Sequence, residues 1–125
     1  MAYQPFTYKL LGVLKGANLN STSDQAISIQ GAGKYIIDKI IATNASADLT
    51  ASLAAGGFYT GASKTGTTIV GAGQVYSSLT AASKFSALTL ALTADSLTAQ
   101  TIYFALSVAH GSAATADLYI YGYPL

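Results

Sequence analysis

The chain has 125 residues, enough for one domain around a single core but not for several. Apolar residues make up 51% of it and charged residues only 9%, where about 25% is usual, so its surface must be built from Ser, Thr, Ala, Gly and Asn, with little charge repulsion to hold neighbouring copies apart. Its six cations are all Lys and its five anions all Asp, for a net charge of +1 with no Arg and no Cys; this argues against nucleic acid or an anionic membrane as partner and excludes disulfides and thiolate metal sites.

Met1 to Thr7 lack the basic segment and following apolar run of a signal peptide, and no apolar stretch is long enough for a membrane-spanning helix. Residues 1–6 read as an N-terminal arm, and the whole of 1–125 as one domain. Helix signals are weak, because the abundant Ala lies among Gly, Ser and Thr. Strand signals recur instead, in β-branched and Tyr-rich runs separated by Gly, Asn, Ser and Asp.

The first predicted strand is Phe6 to Leu14, followed by a polar loop over Gly16 to Gln25. Ala26 to Gln30 is a short strand with Ile27 and Ile29 on one face, and Gly31 to Gly33 turns the chain. Tyr35 to Thr43, carrying Ile36, Ile37, Ile40 and Ile41, is the best candidate for a central strand. After a loop over Asn44 to Asp48, Leu49 to Tyr59 reads as a strand bent at Gly56–Gly57, where a bulge is natural. Gly61 to Gly66 forms a turn and Thr67 to Val70 a short strand. Gly71 to Ala82 fits either a strand around Val75 or a helical turn near Tyr76 to Leu79.

The last third alternates with period 2, the mark of half-buried antiparallel strands. Phe85 to Thr93 places Leu88, Leu90 and Leu92 on one face. Thr101 to His110 places Ile102, Phe104, Leu106 and Val108 together, opposite Tyr103, Ala105 and Ser107. Leu118 to Tyr123 sets Leu118 and Ile120 against Tyr119, Tyr121 and Tyr123. About eight short strands with polar turns predict an all-β antiparallel β-sandwich, with the jelly roll preferred to an immunoglobulin-like order.

The residues that chemistry would need are sparse. His110 is the sole histidine, at a strand end before Gly111, and Asp117 across the predicted turn is the one carboxylate in sequence reach to orient it. The Asp residues are scattered; Asp24 and Asp48 read as turn residues, and Asp38 with Lys39 as an outward or interface pair. No segment has the clustered oxygens of a Ca²⁺ loop, and Gly31-Ala32-Gly33-Lys34 lacks the spacing and following helix of a phosphate loop. No catalytic residue, metal or cofactor is expected.

The aromatic pattern carries more. There are nine Tyr and four Phe without a Trp, and Tyr119, Tyr121 and Tyr123 form a stripe. Tyrosine offers a large rigid contact area with a polar tip. The stripe fits a subunit interface, a sugar-stacking face, or a sheet face covered by loops. Tyr3, Phe6, Tyr103, Tyr119, Tyr121 and Tyr123 are the candidate subunit or capsid contacts.

Three stretches and the ending resemble a family of small phage and prophage proteins. They are Ile40-Ile41-Ala42-Thr43-Asn44-Ala45-Ser46, then Gly56-Gly57-Phe58-Tyr59-Thr60-Gly61-Ala62-Ser63-Lys64, then Gln74-Val75-Tyr76-Ser77-Ser78-Leu79-Thr80, with the ending Gly111 to Gly122. The resemblance runs from about residue 6 to the C-terminus. It implies a jelly-roll capsid decoration (cement) protein of a tailed bacteriophage. Such a protein is typically a homotrimer and sits on the virion surface against the major capsid protein. In that role a sandwich edge or the arm, Met1 to Phe6, would contact the capsid, and Tyr-bearing faces would pack between protomers. A tail, fibre or head-fibre module that binds host glycans is the alternative, and a tail or neck structural subunit is a third reading. The resemblance brings no catalytic or ligand motif.

Overall fold

A computed structural model of the chain describes residues 8–92 and 95–125. The strands are β1 (Lys9–Asn18), β2 (Gln25–Ser28), β3 (Tyr35–Thr43), β4 (Ala55–Gly61), β5 (Thr65–Val70), β6 (Phe85–Ala87), β7 (Thr101–Val108) and β8 (Thr115–Pro124). They form two four-stranded antiparallel sheets, β1-β8-β3-β6 and β2-β7-β4-β5. First pairs with last, second with seventh, third with sixth and fourth with fifth. A long hairpin rolled over on itself gives that nesting, and it makes the β-sandwich a jelly roll.

One apolar cluster fills the space between the sheets, from Leu11 and Ile27 through Ile40, Phe58 and Phe104 to Leu118 and Ile120. Phe58 and Phe104 meet at 5.2 Å between ring centroids, and Tyr76 stands edge-on to Phe104 at 6.1 Å. The Tyr76 hydroxyl donates to Gly56 O at 3.1 Å. Among the described residues, no buried side-chain N or O lacks a partner.

β3 has the expected bounds, but its pattern breaks in the middle. Tyr35 and Ile37 face the core, then Ile40 and Ala42. Ile37 pairs with Gly122 and Lys39 with Tyr121, so Asp38 is one residue too many. That bulge turns Ile41 to the outer face that Ile36 already occupies, and both are half-buried there.

Other boundaries move for physical reasons. β1 runs on to Asn18, through what the sequence suggested was loop, because an extra residue at Lys15–Gly16 bulges without ending the pairing. Gly16 there has φ of +64°, which glycine adopts without strain. Leu49 to Ala54 is a turn, not the start of β4: Asp48 accepts from Thr50 N–H at 2.9 Å and Ser52 Oγ from Ala54 N–H at 3.1 Å, and these local bonds compete with a sheet ladder. Val75 makes one bridge, to Ala55, and Leu79 N–H closes a turn on Tyr76 O, so Gly71 to Ala82 is neither strand nor helix.

The run from Phe85 stays a strand only to Ala87. It then changes sheets, with Leu88 N–H donating to Ile40 O and Ala91 N–H to Ile69 O. Thr93, the last residue of that expected strand, lies outside the described residues. β7 ends at Val108, whose place on the core face was expected. Ala55 pairs with Val108 but Gly56 with Leu106, so Ser107 is extra and Val108 faces outward, 45% exposed.

Candidate functional site: the tyrosine face of the first sheet

β8 lies between β1 and β3, so its outward side chains form the spine of the first sheet's outer face. Tyr119, Tyr121 and Tyr123 all point there, half-buried, and Leu118 and Ile120 point into the core. The register sets their neighbours. Tyr119 lies between Val13 and Ile41, Tyr121 between Leu10 and Lys39, and Tyr123 beside Ile36.

Tyr8 joins them from just before β1. Its ring stacks on Tyr121 at 6.0 Å, with 1° between the planes, and meets Tyr123 edge-on at 5.2 Å. Tyr119 and Tyr121 stack at 6.5 Å. Burial, and then the neighbouring Asp38 carboxylate, push the Tyr8 phenol pKa up. The result is four aromatic rings in a row, bordered by Leu10, Val13, Ile36 and Ile41.

Asp117 closes one end of the face. Its side chain is buried, accepts from Gly16 N–H at 2.8 Å and from the Asn44 amide at 3.0 Å, and lies 3.7 Å from Lys15 Nζ. Both partners hold positive φ, +64° at Gly16 and +56° at Asn44. One carboxylate therefore ties down two turns, of which the one at Asn44, a non-glycine residue at positive φ, would otherwise be costly. The Asn44 amide and then the Gly16 N–H hold its pKa below the usual carboxylate range. Lys15 also donates to the Tyr119 hydroxyl at 2.6 Å, with its ammonium 5.0 Å from the ring centre.

The candidate residues separate. Tyr119, Tyr121 and Tyr123 come together as expected. Tyr103 belongs to the other sheet, half-buried and paired with Ala26 and Tyr59, so it is not part of the stripe. Tyr3 and Phe6 lie outside the described residues. Tyr8 and Leu10, which alternation alone assigned no role, complete the face. A smaller apolar cluster surrounds Ala55, where Leu53, Val75 and Val108 are exposed.

The histidine does not meet the carboxylate across the turn. His110 Nδ1 lies 2.7 Å from Ser52 Oγ, and Asp117 is occupied elsewhere. With Nδ1 as acceptor, Ser52 donates its hydroxyl and accepts Ala54 N–H, which satisfies the serine and pins the 49–54 turn. Among the described residues no carboxylate hydrogen-bonds His110, and no three His or Asp side chains cluster as metal ligands. An open hollow of about 470 Å³ beside Gln74 offers little chemistry, since the Gln74 amide is already bonded to Thr89 N–H and Val75 O.

No protein-family model, curated protein or solved structure matches this chain.

Proposed function

We propose that this chain is a phage virion structural protein, a capsid decoration protein that binds the outer surface of the major capsid protein shell and stabilises the head. The observation that carries the reading is the tyrosine face. Tyr8, Tyr119, Tyr121 and Tyr123 with Leu10, Ile36 and Ile41 make a broad apolar sheet face on a chain only 9% charged. Contiguous apolar surface of this kind marks contact with other macromolecules. Tyrosine anchors such contacts well, because it buries much area while losing little rotamer entropy.

A decoration protein acts by adding buried area across capsomer junctions. A specific interface buries about 1,200–2,000 Å², and repetition around a shell turns modest contacts into avidity. In this reading the chain forms a homotrimer, with its sheet faces serving subunit and capsid contacts. Low charge suits surfaces that must be desolvated together, since few ions have to be buried.

Cryo-electron microscopy of virions from the parent phage tests it. Trimeric knobs of density on the icosahedral shell are expected. Density only at the tail tip or fibres would replace this reading with host attachment. The stacked pair Tyr8–Tyr121 gives that second reading a physical basis, because aromatic rings also stack on sugars; glycan binding by the purified protein, without capsid binding, would favour it.

A further inference from the structure

The two sides of the sandwich are finished differently. On one side the segment from Phe85 to Ala91 passes from the first sheet to the second, bonding Ile40 O and then Ile69 O, with Leu90 bridging Val70. That segment lies along β3 and then along β5. On the other side β1 and β2 end their sheets, and among the described residues neither has a strand beyond it.

The two meet there through the Gln25 side chain, which accepts from Asn18 N–H at 2.8 Å and donates to Asn18 O at 2.9 Å, and, at the other end, through the backbone bond from Gln30 N–H to Leu11 O at 2.8 Å. Gly12 allows that approach: a Cβ on it would lie 2.9 Å from Ile27 Cγ2 and 3.2 Å from Ser28 O. Beside the junction lies a groove of about 350 Å³, walled by Leu10, Gly12 and Val13 on one side and Ala26, Ser28 and Gln30 on the other. Groups at a sheet edge are a template for an added strand, and an uncharged groove favours an uncharged one.

We propose that this groove receives residues 1–7 of a second copy of this chain as an added strand. The proposal rests on the subunit-contact part of the decoration reading and deepens it by naming both sides of one contact. Met1 to Thr7 contain no charged side chain, and neither does the groove wall, so no side-chain charge is buried unpaired when they meet. Seven extended residues reach at most about 25 Å, and the stretch from Leu10 to Val13 spans only about 10 Å. As an added strand, the segment would turn Ala2, Gln4 and Phe6 to one face and Tyr3, Pro5 and Thr7 to the other. Proline is acceptable in a strand that adds at an edge.

A second copy is favoured over the same chain by Tyr8. To lie beside its own β1, the segment would have to reverse within a residue or two of Tyr8. The Tyr8 ring is committed to Tyr121 and Tyr123 of β8, on the side of β1 away from β2. An arm of one copy in the groove of the next is a heterologous contact, which gives a ring where the rotation between copies closes.

The test is sedimentation velocity on the full chain, on a variant lacking residues 1–7, and on Ala26→Arg, which fills the groove from an exposed position. Thermal melts check that both variants remain folded. The full chain is expected to associate, and both variants to associate at least about tenfold more weakly. A synthetic peptide of residues 1–7 is expected to bind the truncated chain and to bind Ala26→Arg about tenfold less well. Undiminished association after truncation, or a full chain that stays monomeric, overturns the proposal. Capsid binding is scored separately: its failure in a full chain that still exchanges arms overturns the decoration reading alone, and capsid binding by a monomeric full chain overturns arm exchange alone.

Discussion

Asp117 shows how much can depend on one short side chain. It lies on the outer side of β8 yet is buried, because Gly16 and Asn44 close over it with their N–H groups pointed inward. Asp117→Ala removes the charged acceptor of both donors, and hydrogen bonds to a charged group are worth about 1.5–3 kcal/mol. Urea unfolding is expected to show that loss as a lower midpoint with an unchanged slope. The folded pKa of Asp117 is lowered, so its contribution is present above the ordinary carboxylate pKa and is lost as pH falls through the folded value. Asp117→Asn should therefore flatten the acid limb of the stability–pH curve; an acid limb identical to the parent's would show that the carboxylate contributes nothing. Tyr35 acts at the other end of the scale. Burial raises its phenol pKa to about 12, and its hydroxyl donates to Ala99 O. The raised value means that its contribution is intact below about pH 10, the ordinary tyrosine pKa, and declines as pH rises towards the folded value. Tyr35→Phe is expected to lose less stability than the parent between neutral pH and pH 11, measured by urea unfolding at each pH.

The strands show why a period-2 pattern tells the truth only between bulges. Asp38 is the surplus residue of β3: removing it joins Ile37 opposite Gly122 directly to Lys39 opposite Tyr121, with the alternation unbroken. Deletion of Asp38 is therefore expected to cost no more than about 1 kcal/mol, the scale of ordinary surface changes. Deletion of Ile41 has no surplus to absorb it and moves one half of the strand to the wrong face, so that chain is expected not to fold. Far-UV circular dichroism and melting of the two deletions decide this, and equal damage by both would reject Asp38 as a bulge. The same reasoning explains what could be read beforehand. β3 was legible because four isoleucines and a tyrosine outweigh one bulge, and the faces of β8 because Tyr119 to Tyr123 alternate without interruption. The outward turn of Val108 was not legible, because Ser107 is surplus only in relation to β4. Tyr8 was missed as a member of the tyrosine face for a similar reason: its stacking on Tyr121 depends on which strands become neighbours, a property of the nesting and not of any local run.

At the scale of the whole molecule, the two sheets divide the work. Both turn an apolar side inward, and among the described residues the row of four aromatic rings lies on the outer face of the first, with Asp38 beside Tyr8 and Lys39 beside Tyr121. Lys39 beside Tyr121 can lay its methylenes on the face and keep its ammonium in water. Such a face is held rigid by the strands beneath it, so a partner does not have to order it, and the entropic cost of association is lowered. Tyr121 is at its centre, with Tyr8 stacked on one side and Tyr119 on the other. Central, well-packed aromatics dominate interface energetics, and truncating one typically costs about 2 kcal/mol or more, roughly thirtyfold in affinity. Tyr121→Ala is expected to weaken binding to purified capsids by about that factor, whereas Tyr103→Ala on the opposite sheet should change it by less than about threefold. The half-buried Tyr121 carries little of the core, so its loss should lower the melting temperature by only a few degrees. Equal weakening by both substitutions would place the contact away from the tyrosine face. If neither changes capsid binding, while the arm deletion abolishes it, the sheet face is left to subunit packing and the arm becomes the element that holds the shell.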